Sequence, residues 1–238
     1  CGTCHGTPPG GLHPANSQCG SCHDGYTATT VNLATHIDGT VEAPTLTCAS
    51  CHGDPARVAT EKNPQLPAAP PVGTNGESVT TSRGVGAHQL HLVGGALSDG
   101  IACEQCHAVP TAFGGESGHP SGSVELSWGT LAGASSTWNP ADFSCAATYC
   151  HGNFAMGNAT YKPTWTNAKA DACGTCHGNP VATASALPVA GHPALASGAT
   201  NAACAACHPE TVDASGAIVP GGKHVDGQPQ VAAAASHP

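Results

Sequence analysis

Residues 1–23 read CGTCHGTPPGGLHPANSQCGSCH. Cys1, Cys4 and His5 form one Cys-x-x-Cys-His motif and Cys19, Cys22 and His23 a second, with one further histidine, His13, between them. The same spacing returns at Cys48, Cys51 and His52, at Cys103, Cys106 and His107, at Cys173, Cys176 and His177, and at Cys204, Cys207 and His208. A seventh pair, Cys145 and Cys150 followed by His151, opens the spacing to four intervening residues. All 14 cysteines are thereby used. In a chain with 15 His among 238 residues, a His directly after every second cysteine arises by chance roughly 4 times in 10⁹.

Two thiols a short turn apart add across the two vinyl groups of one porphyrin as thioethers, and the next residue places an imidazole beneath the iron. The wider Cys145–Cys150 loop does the same with two extra residues bulging between the anchors. Structural zinc requires a distant second pair of ligands and gives no reason for His to adjoin Cys each time. A disulfide scaffold uses the cysteines but leaves the histidines unexplained. The residues therefore predict seven covalently attached haems c, with His5, His23, His52, His107, His151, His177 and His208 as proximal ligands.

Eight histidines remain: His13, His36, His88, His91, His119, His192, His224 and His237. Seven irons need seven sixth ligands, so every haem can be bis-His, with His237 beside the last residue as the spare. Met156 is the only thioether, which limits His/Met ligation to one site at most. A second His, unlike Met, leaves the potential low.

Leu, Ile, Val and Phe supply 32 of the 238 residues, about 13%, below the fifth or so of an ordinary folded domain. A conventional hydrophobic core is therefore excluded. Only 9% of residues are charged, which does not fit a highly charged disordered chain either. The expected fold is mostly irregular coil, with short helical turns and few short strands, organised around a chain of seven bound haems. Metal and thioether bonds then stand in for the core, as metal binding becomes folding energy in small metallo-domains.

The whole chain reads as a single multihaem unit with internal repeats. Residues 1–43 and 173–231 share one order: a haem motif, a His-Pro, a second haem motif, and a His followed by a turn. His13 thus matches His192, and His36 matches His224. Residues 48–131 follow the same plan with a longer insertion, which aligns His119 with His36 and His224. The single wide motif at 145–151 stands between the second and third copies. Within the insertion, His88 and His91 lie three apart in GAHQLHL, a spacing that puts both imidazoles on one face of a helical turn, available to two neighbouring haems. GTVEA at 39–43 and GSVEL at 122–126 read as brief strands, and residues 54–84 as a loop without periodicity.

No run approaches the roughly 18 apolar residues of a membrane span. Covalent haem attachment goes with export, so a leader removed before Cys1 is expected. A lipid on an N-terminal cysteine would compete with the thioether for one sulfur.

From Cys145 to His192 the sequence CAATYCHGNFAMGNATYKPTWTNAKADACGTCHGNP…GH closely resembles the CxxxxCH…CxxCH repeat of multihaem cytochromes from Geobacter-type metal-reducing bacteria. Tyr149, Cys150 and His151, Trp165, and the run from Cys173 to Gly178 are the matching positions, and the upstream GAHQLHL and GHPSGSVELSWG are similar. The resemblance covers roughly residues 84–195. It implies an electron carrier at the outer surface or outside the cell, and some multihaem cytochromes of such organisms polymerise into conductive filaments. Trp128 and Trp165 are candidates to stack on haems.

One haem for about every 34 residues forces neighbouring macrocycles together, so the expected function is long-range extracellular electron transfer. A homopolymeric filament is favoured over a monomeric periplasmic or outer-surface shuttle, with His13, His36 and His237 as candidates for donation to a neighbouring subunit. A multihaem reductase is the rival class. Catalysis there needs an open iron position or an unusual ligand such as Lys, whereas no motif ends in Lys and there is His enough to close every site. The formal net charge of −9, with two propionates added per haem, excludes nucleic acid as a partner. It favours cationic redox partner cytochromes, or extracellular acceptors such as metal oxides bridged by cations, while polymerisation with other copies of the chain needs the propionates neutralised by the few Arg and Lys or by bound ions.

Overall fold

The computed structural model describes residues 2–10, 13, 17–40, 47–112, 119–155, 157–169, 174–178, 198–221 and 223–228. The chain divides into two compact units, Cys1–Gln89 with Pro110–Val124, and Leu90–Val109 with Glu125–Pro238. Irregular coil and turns dominate both, as the composition requires. The described regular elements are one short helix, α1 (His88–Val93), two three-residue strands, and five 3₁₀ turns, four of which carry haem motifs.

Among the described residues of the first unit the buried apolar ones are small, namely Leu66, Ala68, Ala69, Val85 and Ala87. Four of the five are Ala or Val. Leu33 and Ile37, by contrast, are 87% and 91% exposed. Residues 54–84, expected as a loop without periodicity, are a loop, and one that buries Asn63, Leu66, Ala68 and Ala69. A 3₁₀ turn spans Leu66–Ala68 with Pro67 at its start, where the preset proline φ suits a first helical turn. Asn63, 1% exposed, caps the approach to it, its carbonyl accepting from the backbone N–H groups of Thr60 and Leu66. Arg57 donates to the carbonyls of Ala69 and Pro71. This packed loop then pairs with the chain just after His52: Gly53 and Val72 exchange both backbone hydrogen bonds, and Asp54 N–H donates to Pro67. Gly53 is obligatory, because its φ is +89° and a Cβ there would lie 2.1 Å from the Pro67 carbonyl oxygen.

In the second unit Ala132 is the one buried apolar residue among those described. β1 (Thr137–Asn139) and β2 (Ser144–Ala146) form an antiparallel hairpin with Trp138 opposite Cys145. Its turn is closed by side chains: Asn139 accepts from Ala141 N–H, and Asp142 accepts from both N–H and hydroxyl of Ser144. Such Asx contacts substitute for a longer ladder. The 163–165 segment extends the pairing, with Cys145 N–H donating to Pro163 and Trp165 N–H to Phe143.

GSVEL at 122–126 does not form the expected strand. Leu126 makes an isolated bridge to His107, and Val124 is left 72% exposed. The last three residues of GTVEA lie outside the described residues, and the strands that do form were not expected from sequence. Among the described residues, no helix is long and apolar enough to cross a membrane.

Candidate haem sites

Three Cys-x-x-Cys-His motifs share one backbone turn. The second cysteine N–H donates to the first cysteine carbonyl at 3.1 Å in Cys19–Cys22, Cys103–Cys106 and Cys204–Cys207. The following His N–H reaches the same carbonyl at 2.8, 3.4 and 2.8 Å. In a 3₁₀ turn, side chains three apart eclipse one another. Both thiols therefore leave the turn on one side, with the imidazole next to them, as one porphyrin edge and its iron require. The wide motif reaches this end differently. Cys145 sits on β2, Ala147 bends the chain at φ +54°, and Cys150 lies within the 3₁₀ turn Tyr149–His151. The two extra residues are thus spent turning the chain from strand to turn. No disulfide joins any of the twelve described cysteines.

The imidazoles carry the stronger signal. An imidazole nitrogen bonds a first-row metal at about 2.0 Å and its ring centre lies ~1.15 Å further back, so two rings on opposite sides of one metal stand about 6.3 Å apart. A direct hydrogen bond between ring nitrogens would shorten that to about 5.2 Å. The observed centre-to-centre distances are 6.3 Å for His5–His36, 6.1 Å for His13–His23, 6.2 Å for His52–His119, 6.0 Å for His91–His151 and 6.2 Å for His177–His224. Each pair joins one motif histidine to one histidine from elsewhere in its own unit. The interplanar angles run from 16° to 89°. All are admissible, because both ring planes can contain the metal–nitrogen axis at any relative twist.

Ring orientation points the same way. The Nδ1 of His5 meets the Gly6 carbonyl at 2.7 Å and that of His177 the Gly178 carbonyl at 2.9 Å. His52 donates to Ala68 and His224 to Leu97. An Nδ1–H held by a carbonyl fixes the tautomer that presents Nε2 to a metal. His107 and His88 carry the same feature, toward Ala108 at 3.3 Å and Val85 at 2.8 Å. His88 and His91 both lie on α1, as their spacing predicts. Burial also lowers the pKa of His224, which favours the neutral, ligating form. His107 and His208 are the remaining two motif histidines. Cys1, Cys173, Met156, His192 and His237 lie outside the described residues.

Thiol burial marks the faces that the motifs share. Burial pushes Cys106 up to about 12, with the nearby thiols of Cys145, Cys150 and Cys103 adding to the effect, and pushes Cys150 up to about 11. Cys51 is raised by burial and then by Cys22, to which its side chain hydrogen-bonds. Cys103 and Cys145 are raised by burial too. These are apolar surroundings, suited to thioethers rather than thiolates.

Apart from Trp165, sequence reasoning missed the aromatic residues around the pairs. Tyr26 lies 6.1 Å from both His23 and His36. Tyr161 stands edge-on to His151 at 6.0 Å, and Phe154 approaches His177 at 6.4 Å. Trp165, a candidate to stack on a haem, lies parallel to His91 at 5.9 Å and 11°. Aromatic identity alone carried no signal for these placements.

Haem fits these residues. Among those described, no group of three or more His, Cys, Asp or Glu side chains is arranged to hold a metal ion directly. Two imidazoles whose ring centres stand about 6 Å apart suit an ion that arrives with its other four ligands, as iron does in a porphyrin. Paired thiols beside one imidazole, and a second imidazole opposite, are the parts of a c-type cytochrome. Residues 144–177 match the family model described as the Geobacter CxxxxCH...CXXCH motif, which supports a c-type cytochrome of that family. No curated protein and no solved structure matches the chain.

Proposed function

We propose that the chain is a heptahaem c-type cytochrome that carries electrons over long distances outside the cell, along closely spaced bis-His haems. The observation behind this reading is the set of five imidazole pairs at 6.0–6.3 Å. When bound, haem iron supplies a one-electron couple. The chain's part is to anchor each group through Cys1, Cys4, Cys19, Cys22, Cys48, Cys51, Cys103, Cys106, Cys145, Cys150, Cys173, Cys176, Cys204 and Cys207. The motif histidines would each hold one iron, and His13, His36, His88, His91, His119, His192 and His224 would each supply a second imidazole. A second imidazole blocks the position a substrate would need and keeps the potential low, so the activity is electron transfer rather than catalysis. The intact mass tests this: polypeptide plus seven haems is expected, and polypeptide alone overturns it.

The resemblance supports assembly of copies into an extracellular filament, with partner cytochromes or metal oxides at its ends. One observation favours the monomeric shuttle instead. His13 and His36, candidates for donation to a neighbour, each face an imidazole of their own chain. Electron microscopy of native material separates the readings: filaments support the polymer, and monodisperse particles support the shuttle.

A further inference from the structure

We propose that ligation in the first two-haem module is crossed: the first iron takes its sixth ligand, His36, from beyond the second motif, and the second iron takes His13 from between the motifs. The same long connection serves the first iron of the other two modules, and the wide-motif iron borrows His91 from the module before it. This rests on the haem reading above and deepens it. Counting along the sequence suggests the opposite order, in which each motif is served by the next histidine, His5 by His13 and His23 by His36.

The geometry rejects that order in the first module. His5 faces His36 at 6.3 Å and His13 faces His23 at 6.1 Å. The other two modules repeat the long connection: His52 faces His119 at 6.2 Å, and His177 faces His224 at 6.2 Å. In all three, the loop closed through the first iron contains the whole second motif. His36, His119 and His224 are also the three positions that the internal repeat aligns with one another. One geometry therefore recurs at equivalent places in sequences that otherwise differ.

The middle module has two histidines between its motifs where the first has one. His91 faces His151 at 6.0 Å, which accounts for the extra residue: it serves the haem that lies outside any module. His88 is left at the sequence position that His13 holds in the first module. In the third module that sequence position belongs to His192. Tyr26 ties the crossing together, since its ring meets both the proximal ligand of the second iron and the sixth ligand of the first. A crossed module cannot be cut between its motifs without opening both irons, so the two-haem module is the smallest unit that holds its haems six-coordinate.

The test uses the holoprotein and a variant lacking the second haem, made by Cys19→Ala, Cys22→Ala and His23→Ala and verified as six haems by mass. Carbon monoxide bound per reduced protein counts the irons that have lost a ligand. In the six-haem protein, adding His36→Ala is expected to create one binding iron and adding His13→Ala none. The reverse pattern overturns the crossed order. In the seven-haem protein either substitution alone is expected to open one iron, and failure of either to do so also overturns it. Should the six-haem protein not accumulate, a density map of the native protein decides: His36 opposite His5 is expected, and His13 there overturns the proposal. A native mass short of seven haems would defeat the haem count itself. A mass of seven with the reverse pattern defeats only the crossing.

Discussion

Gly152→Ala probes whether two haem motifs are packed backbone against backbone. Gly152 follows His151 and caps the 3₁₀ turn Tyr149–His151 at φ +105°. A Cβ there would stand 2.8 Å from the carbonyl oxygens of both Asn158 and Cys176. The Cys176 carbonyl has little freedom to retreat, because it accepts Asn158 N–H at 2.8 Å while the Asn158 amide donates to Thr175 at 3.1 Å. Left-handed backbone costs an L-residue about 1–2 kcal/mol, and inserting a methyl into a filled space adds about 1–3 kcal/mol. The control is Gly133→Ala, at φ +94° with nothing within 4 Å of its Cβ, which carries the backbone cost alone. Guanidinium unfolding of the holoprotein, followed by the low-spin absorption of the haems, is therefore expected to show Gly152→Ala less stable than Gly133→Ala by about 1–3 kcal/mol. Equal losses would refute the close approach of the two motifs.

Trp165→Ala is expected to change the electron paramagnetic resonance signature of one haem while the mass still counts all of them, because the indole lies parallel to His91 at 5.9 Å; an unchanged spectrum would show that this contact does not orient the imidazole. Arg57→Ala severs both hydrogen bonds to the Ala69 and Pro71 carbonyls. Loss of a charge-assisted bond costs about 1.5–3 kcal/mol, so the denaturant midpoint falls, and an unmoved midpoint would make the clamp idle. The chain expressed where haem cannot be attached is expected to show no cooperative thermal transition, and a sharp one would contradict a fold built on cofactors. The Asp142 carboxyl is held below the usual carboxylate range by the Ser144 hydroxyl. Its contribution to the hairpin turn is thus present above the ordinary value and lost as pH falls through the lowered one. A carboxyl NMR titration checks this: Ser144→Ala is expected to raise the titration point, and a wild-type residue titrating at the ordinary value would refute the hydrogen bond.

What was legible in the sequence was chemistry fixed by short spacing. Cys103, Cys106 and His107 need only one turn to come together, so the motif states its own geometry, and the same holds for His88 and His91 on α1. The coil-rich fold followed from the scarcity of aliphatic residues, and the small buried side chains agree with it. The hairpin 137–146 was not legible, because it carries Pro140 and its pairing is completed from residues 163–165. Nor was the packing of Leu66 and Asn63, which depends on Gly53 and Val72 meeting across 19 residues. The partner of each motif histidine was hidden for the same reason. Spacing counts the ligands, whereas pairing is decided by loops of tens of residues whose closure is only weakly length-dependent.

Within each unit, close contacts link one motif to the next along the chain. In the first unit Tyr26 lies between His23 and His36, and the Cys22 and Cys51 side chains hydrogen-bond to one another, so the first, second and third motifs are neighbours in sequence order. In the second unit Cys106 lies close to Cys145 and Cys150. The Cys176 thiol in turn approaches the Cys150 carbonyl at 3.9 Å, while Gly157 bridges to His177. The fourth, fifth and sixth motifs are therefore neighbours in sequence order too. Contacts this close leave no room for bulky aliphatic residues between motifs. Alanine and glycine, which look like a deficit when a hydrophobic core is sought, are what permit one haem site to abut the next.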